Sequence, residues 1–320
     1  MLAVPASLYH CAGVVVGTCR CIRPGATVDS ALMDQSLAHL PMDALGRGLG
    51  VATHDARAIR FGTNVVIALP SERKVMRVLS TDAASPAEVQ AGLLDVERLS
   101  RSSRVLGPAG MHIACAGGYT ATIWPMGADL DRTREHYEAY GAALRSLHAR
   151  APLPGTARLH TLGRLYARLG LLEQLGVPAD DREFLRRRAD SLRDAHDEMV
   201  RSGDMLLHGD AQPGNAIVAD DGVRLIDLDS MRIGPWQYDL VPAAVGARRF
   251  GESDIFAAMM SGYGRDPRDW EFFSTACDLR ELTATSWLGT LYNRSQAHRE
   301  EFHLHIATLR GDSDDTWQHI

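Results

Sequence analysis

One short span constrains the fold of this chain more than any other. Asp210 lies in the run His208-Gly209-Asp210-Ala211-Gln212-Pro213-Gly214-Asn215, so an Asn follows five positions on. Asp227 ends an apolar stretch twelve residues beyond that. In between, the residues around Ile217 and Val223–Ile226 read as strands joined by the turn Asp220-Asp221-Gly222. Such a hairpin returns the chain to where it started. Asp and Asn are frequent turn residues, and each alone is unremarkable. At these offsets they bring two carboxylates and an amide oxygen to one point, a donor set suited to a hard cation such as Mg2+. Any fold for this chain has to set a tight loop beside a hairpin.

The same spacing is found in the catalytic loop and metal-binding Asp of enzymes that transfer phosphate. At these residues the chain resembles the aminoglycoside phosphotransferase and choline kinase-like family, whose loop reads His-Gly-Asp. Gly234-Pro235-Trp236-Gln237-Tyr238-Asp239-Leu240 is similar to the family's segment after the metal Asp, and Ala142 to His148 to the helix that closes its hinge region. The likeness covers about four-fifths of the chain, from roughly residue 55 onward. It implies an α+β, two-lobed protein-kinase-like fold. The N-terminal nucleotide-binding lobe, an antiparallel sheet plus a helix, would span 1–124, the hinge 125–128, and a mostly helical C-terminal lobe with the acceptor site 129–320. It also implies a small-molecule kinase that moves the γ-phosphate of ATP or GTP to a substrate hydroxyl with Mg2+. Antibiotic O-phosphorylation is the best-known outcome; kinases of choline, homoserine or sugars are the alternatives.

Carried onto this chain, the resemblance makes Asp210 the catalytic base or hydroxyl-orienting group, with Asn215 and Asp227 as metal ligands. Phosphoryl transfer has a loose transition state, so positioning is the main task of such an Asp. Asp229, on the same strand face as Asp227 if the chain is extended, is a further metal ligand or supports one. His208 braces the loop by hydrogen bonds, since no nucleophile partner is evident for a reactive His. Asp239 is structural and is expected to cap the following helix. Glu281 and Trp287 either line the acceptor pocket or pack.

Upstream, residues 27–40 read as a helix stopping at Pro41, and Gly46-x-Gly48-x-Gly50 as a helix C-cap and turn. Three β-type segments follow, Ala56–Phe61, Val65–Leu69 and Lys74–Leu79, and then a helix over 86–101. In a kinase N-lobe the turn between the first two strands covers the phosphates, so Gly62, Thr63 and Asn64 become nucleotide-binding candidates. The family pairs a Lys on the third strand with a Glu on the helix. Here Val75, Arg77 and Leu79 share one face and Lys74, Met76 and Val78 the other, which puts Arg77 at the Lys position. Glu88, Asp95 and Glu97 are its candidate partners. Arg can bridge a carboxylate and phosphates through its fork of donors; a strand residue snorkelling to solvent would read the same. Thr120–Trp124 is the last strand of the lobe, and Trp124 and Met126 fall where the family's hinge passes the adenine.

From residue 131 onward helices are expected over 133–149, 158–176, 181–202, 239–249, 253–262 and 278–292. Of 34 basic residues 33 are Arg, and the one Lys, Lys74, follows Arg73, so there is no phosphate loop of the Gly-Lys-Ser/Thr type. A net charge of -6 argues against nucleic acid as a partner. Residues 1–127 carry 11 basic and 9 acidic side chains, residues 128–320 carry 23 and 31. The acidic second part would attract a cationic substrate, though solvated helix faces account for most such charges.

No apolar run reaches the length of a membrane span, and the N-terminus lacks the basic region and cleavage site of a signal peptide. Five cysteines without a C-x-x-C fit free thiols and a cytoplasmic location. A protein kinase is disfavoured, because the Gly-rich loop, D-F-G and A-P-E are absent and the segment from Asp229 to Asp239 is too short for an activation loop. A degenerate kinase that binds nucleotide without transfer has Arg77 as its single support. The acceptor, the oligomeric state and the role of residues 1–26 are not legible.

Overall fold

The structure, a computed structural model, describes residues 37, 39–61 and 64–319; the expected helix over 27–40 therefore lies almost wholly outside the described residues. The chain divides into two compact units, one of residues up to 90 with 109–124, the other of 91–108 with 125 onward.

In the first unit a helix, α1 (Met42–Leu49), takes in Gly46 and Gly48, which the sequence reading had given with Gly50 to a helix C-cap and turn; Gly50 alone is the C-cap. The amides of Ala44 and Leu45 reach back to the Pro41 carbonyl, and Gly50 closes the helix at φ 67°. Gly46 and Gly48 sit inside this helix because there is no room for more. A Cβ at Gly46 would meet Thr53 Cγ2 at 2.6 Å and one at Gly48 would meet Ala114 Cβ at 2.7 Å.

Strands β1 (Arg57–Phe61), β2 (Val65–Leu69), β3 (Lys74–Ser80), β4 (Ala114–Ala116) and β5 (Tyr119–Pro125) form one sheet in the order β1-β2-β3-β5-β4. Antiparallel pairing sets Val66 opposite Arg77 and Ile67 opposite Met76. The period-2 alternation then decides the faces. Met76 and Val78 are buried with Leu45, Ile67, Leu69, Ala121 and Ile123, while Arg77 takes the other face, as the alternation predicted. β4 was not anticipated; three short residues carry too little pattern.

Helix α2 (Pro86–Ser100) opens with a capping box. Glu88 Oε2 accepts from the Ser85 N–H at 2.8 Å and from its hydroxyl at 2.7 Å, and Ser85 Oγ accepts from the Glu88 N–H.

The second unit is mostly helical: α3 (Arg134–His148), α4 (Leu162–Leu171), α5 (Ala179–Ser191), α6 (Arg193–Arg201), α7 (Val241–Arg249), α8 (Ser253–Tyr263), α9 (Phe273–Gly289) and α10 (Gln296–Arg310). The helix expected over 181–202 breaks at Leu192 into α5 and α6. α10, capped by Ser295, escaped the sequence reading because polar residues interrupt its apolar stripe. Thr133 caps α3, its hydroxyl accepting from the His136 N–H. The stripe Tyr137, Tyr140, Leu144 and Leu147 then anchors α3 in the core. α3 and α8 run in backbone contact, since a Cβ at Gly141 would stand 2.1 Å from Met259 O and one at Gly262 1.8 Å from Glu138 O.

Around this core lie two small sheets. β6 (Ala128–Asp129), β8 (Ala216–Ala219) and β9 (Gly222–Leu225) form one; β7 (Met205–Leu207) and β10 (Arg232–Gly234) form the other.

Candidate active site

The loop after β7 is shaped by its own amides. The Gln212 N–H and the Asn215 side-chain N–H both reach the Asp210 carbonyl, at 2.9 and 2.8 Å, and the Asn215 N–H reaches the Gln212 carbonyl at 2.8 Å. Pro213–Asn215 is thereby wound into one 3-10 turn, and Tyr140 from α3 donates its hydroxyl to Gln212 O at 3.1 Å. Asn215 Nδ2 also lies 3.3 Å from Asp210 Oδ2, so the two side chains meet.

The hairpin then closes as its sequence suggests, with Ala216 opposite Leu225 and Ala219 opposite Gly222. One bond ties the far end to the near one: the Ile226 N–H donates to the Asn215 carbonyl at 3.0 Å, and Asp227 is the next residue.

Asp227 is not in a strand. It has φ 61° and ψ 57°, a left-handed conformation that Asp tolerates better than most side chains, and it starts a 3-10 turn over Leu228–Ser230. The expectation that Asp227 and Asp229 share a strand face therefore fails; the backbone turns between them. β10 then pairs with β7, Arg232 opposite Leu207, and brings the segment after Asp229 under the loop. The passage is close. Gly209 holds φ 79°, and a Cβ there would stand 2.0 Å from Ser230 O.

His208 is buried and bonded on both ring nitrogens. Its Nε2 lies 2.9 Å from the Ile226 carbonyl and must donate, while Nδ1 accepts from the Asp210 N–H at 3.4 Å. Those two partners place the ring proton on Nε2. The imidazole links loop to hairpin without touching a nucleophile.

Asp239 does not cap the following helix, where no side-chain cap bond exists. It turns inward instead. Oδ2 accepts from the His208 N–H at 2.6 Å and from His148 Nε2 at 2.8 Å, and Oδ1 accepts from the Gly209 N–H at 2.9 Å. Burial works to raise its pKa, but the His148 and Gly209 bonds and the nearby imidazoles outweigh that and hold the carboxyl below its usual range.

Asp210 itself is one-third exposed. Beside it stands Arg280 of α9, its Nη1 3.7 Å from Asp210 Oδ1. With Ala211, Tyr238, Val241 and Pro242 these two line a small pocket. Sequence reasoning did not find Arg280, because one Arg on a helix reads as a solvated charge. It had singled out Glu281 and Trp287 on the same helix, and neither lines this pocket. Glu281 is 1% exposed and accepts from Arg249 at 2.8 Å; Trp287 is 36% exposed and absent from the pocket wall.

The nucleotide-binding candidates belong to the first unit, apart from Met126 in the second. Glu88 is committed to its own helix cap and not to Arg77, and Gly62 and Thr63 lie outside the described residues. Asn64 is buried and, with its amide turned so that oxygen faces the donors, accepts from Arg77 Nη2 at 2.7 Å and Nε at 3.0 Å. Trp124 donates its indole N–H to Thr122 at 2.9 Å, and Met126 is half-buried.

The donor set suits a cation delivered with phosphates. Asn215 spends its NH2 group on Asp210, which leaves its carbonyl oxygen as the end available to a metal. Among the described residues no group of three His, Cys, Asp or Glu gathers as a self-sufficient cage. Mg2+ commonly takes one or two carboxylates and completes its shell with phosphate and water, so Asn215 and Asp227 fit that use.

A family model described as "Phosphotransferase enzyme family" (APH) matches residues 60–273, about two-thirds of the chain. A search of curated proteins found no match. Among solved structures the chain is similar to amicoumacin kinase hAmiN in complex with AMP-PNP, Ca2+ and Ami, at 13% identity and TM-score 0.68 over 89% of this chain and 98% of that one. It is similar to spectinomycin phosphotransferase APH(9)-Ia in complex with ADP and spectinomycin, at 15% identity and TM-score 0.60 over 88% and 95%. It is also similar to a choline/ethanolamine kinase family protein from Mesorhizobium loti, at 16% identity and TM-score 0.58 over 87% and 92%. The fold is accordingly α+β and kinase-like, as the resemblance implied. Since the matched span takes in the loop, the hairpin and Asp239 together, this chain belongs to the phosphotransferase enzyme family.

Proposed function

We propose that the chain is a nucleotide-dependent kinase of a hydroxyl-bearing small molecule, with Asp210 at the reacting oxygen. The observation that carries this is the knot of Asp210, Asn215 and Ile226: the Asn215 side-chain amide holds the Asp210 carbonyl and meets its one-third-exposed carboxylate, and the Ile226 N–H ties the residue before Asp227 to the Asn215 carbonyl. In the reaction the acceptor oxygen bonds to the γ-phosphorus of ATP or GTP. The bond from that phosphorus to the β,γ-bridging oxygen breaks, and its electron pair leaves on the nucleoside diphosphate. The hydroxyl proton passes to Asp210 and then to solvent. Mg2+ held by Asn215 and Asp227, with Asp229 in support, would neutralise phosphate charge. Arg77, held by Asn64, is the phosphate-binding cation of the first unit, and the segment of Trp124 and Met126 borders the nucleotide base. His208 and Asp239 hold the loop.

The names of two neighbours, amicoumacin kinase and spectinomycin phosphotransferase, favour antibiotic O-phosphorylation, with resistance as its cellular outcome. The choline/ethanolamine kinase relative favours a metabolite acceptor. The need for ATP or GTP fits a cytoplasmic enzyme. No described helix is long and apolar enough to cross a membrane.

The test is phosphate transfer from ATP and GTP across an acceptor panel, with nucleotide affinity measured in parallel. Asp210→Asn is expected to lower kcat at least a thousandfold while nucleotide affinity changes less than threefold. Equal loss of both would make Asp210 a structural residue and end the assignment.

A further inference from the structure

The surroundings of Asp210 carry more positive charge than the loop needs. Arg164 and Arg168 stand four residues apart on α4 and hence on one face. Arg280 comes from α9, and Arg232 opens β10 two residues after Ser230. Arg280 reaches Asp210 Oδ1 at 3.7 Å and Gln212 Oε1 at 3.5 Å. Arg164 turns both terminal nitrogens to Ser230 Oγ, at 3.4 and 3.5 Å. Arg168 donates to Thr283 O at 3.3 Å and Arg232 to Met231 O at 2.6 Å.

Of the four, Arg280 alone has a carboxylate within ion-pair distance among the described residues. The others meet neutral oxygens. Burial first, then the nearby Arg164 and Arg280, pushes Arg168 below the ordinary guanidinium value against the pull of Asp210, and burial, then Arg164, does the same to Arg232. Arg168 and Arg232 are half-buried with no carboxylate of their own within ion-pair distance among the described residues, an arrangement that opposes folding and that a ligand of the missing sign would relieve.

We propose that Arg164, Arg168, Arg232 and Arg280 form the acceptor site's anion clamp, and that the acceptor carries a carboxylate or phosphate on the same molecule as its reacting hydroxyl. This deepens the kinase reading and rests on it. The net charge of -8 over residues 128–320 does not contradict it, because that surplus is spread along helices and the field at the loop is set by what lies within a Debye length. Guanidinium forks suit flat or tetrahedral oxyanions, often bidentately. The same charges repel the polycationic aminoglycosides and the quaternary ammonium of choline. The transfer step is unchanged: the acceptor hydroxyl loses its proton to Asp210 and gains the γ-phosphoryl group, and the anionic group stays intact in the clamp.

The experiment uses the full chain and three classes of probe: gluconate and 3-phosphoglycerate as hydroxyl-bearing anions, glucitol as a neutral match, and choline and kanamycin as cations. Transfer from ATP is followed with each, and binding of inorganic phosphate and of both anions is measured by calorimetry on wild type, Arg164→Gln, Arg280→Gln and Arg280→Lys. The expected result is anion binding that weakens at least tenfold in both Gln variants and is partly restored by Lys, with the acceptor KM rising and the ATP KM fixed. Preference for gluconate assigns a carboxylate, preference for 3-phosphoglycerate a phosphate. Unchanged melting temperature and ATP affinity show that the variants fold.

Turnover confined to choline, kanamycin or glucitol overturns the clamp and leaves the kinase reading standing. A fall in kcat at constant acceptor KM also overturns it, by assigning Arg280 to the transferring phosphoryl group. Anion binding that depends on the arginines without transfer to any probe keeps the clamp and counts against the kinase reading. Absence of arginine-dependent binding of phosphate and of both anions overturns the proposal.

Discussion

Asp239 accepts the main-chain N–H of His208 at 2.6 Å, from a position that solvent does not reach. The same carboxylate takes the N–H of Gly209 and the ring of His148, so the residues before Asp210 hang from a single buried anion. Asp239→Ala leaves two amides and an imidazole without their acceptor. The expected loss is about 3–5 kcal/mol of folding stability, the usual result of removing one partner from a buried charged network. Urea denaturation checks it. A midpoint unchanged from wild type would show that the network contributes nothing.

Gly209→Ala tests the close passage beneath the loop. An Ala there has to hold φ 79° and clear Ser230 O, 2.0 Å from where its Cβ would stand. The left-handed conformation alone costs about 1–2 kcal/mol, and the backbone must shift as well. Loss of stability together with a fall in kcat of tenfold or more is expected. If the Ala variant matched wild type in both, the loop would not need the position it holds.

The two basic residues of β3 should behave differently. Lys74 pairs with Glu72 at 3.2 Å, whereas Arg77 lies on the opposite face with its fork on Asn64. Arg77→Ala is expected to weaken ATP binding about tenfold, the scale of one lost charge-assisted phosphate contact, while Lys74→Ala changes it little. Calorimetric titration with ATP decides. The reverse ranking would make Lys74 the phosphate-binding residue.

His305 gives a pH signature. It stacks on Trp317 with ring centres 3.5 Å apart, and burial holds its pKa below the ordinary imidazole value despite the nearby Glu301. A depressed imidazole binds its proton in the unfolded chain first. Stability should therefore be level above about pH 6.5 and decline as pH falls from there toward the folded-state value. His305→Gln should flatten that slope in thermal melts between neutral and mildly acidic pH. A slope as steep as that of wild type would assign it to other groups.

What the sequence made legible were features with a short period or a fixed offset. The faces of β3 follow from strict alternation, and the Asn215–Asp227 hairpin from turn residues between two apolar strands. A shared strand face for Asp227 and Asp229 required extended backbone, and the chain instead enters the left-handed region at Asp227. α1 was missed because Gly46 and Gly48, poor helix formers, are kept by contacts with Thr53 and Ala114 that no local pattern contains. Asp239 was recognised as structural, but its partners lie about thirty residues upstream and at His148 in α3, so a local cap was the nearest available explanation. Arg280 and the arginines of α4 left no trace, since their meaning comes from being neighbours in space.

The loop is anchored and surrounded by different means. Its backbone hangs from a buried carboxylate, whereas α4 and α9 send Arg164 and Arg280 to its edge on side chains that solvent still reaches. A change among those arginines alters which molecule is welcome without asking the core to repack. Chains of this design can thus exchange one acceptor for another by a few surface-level substitutions, and the cost of each trial falls on affinity while the folded scaffold survives to make the next.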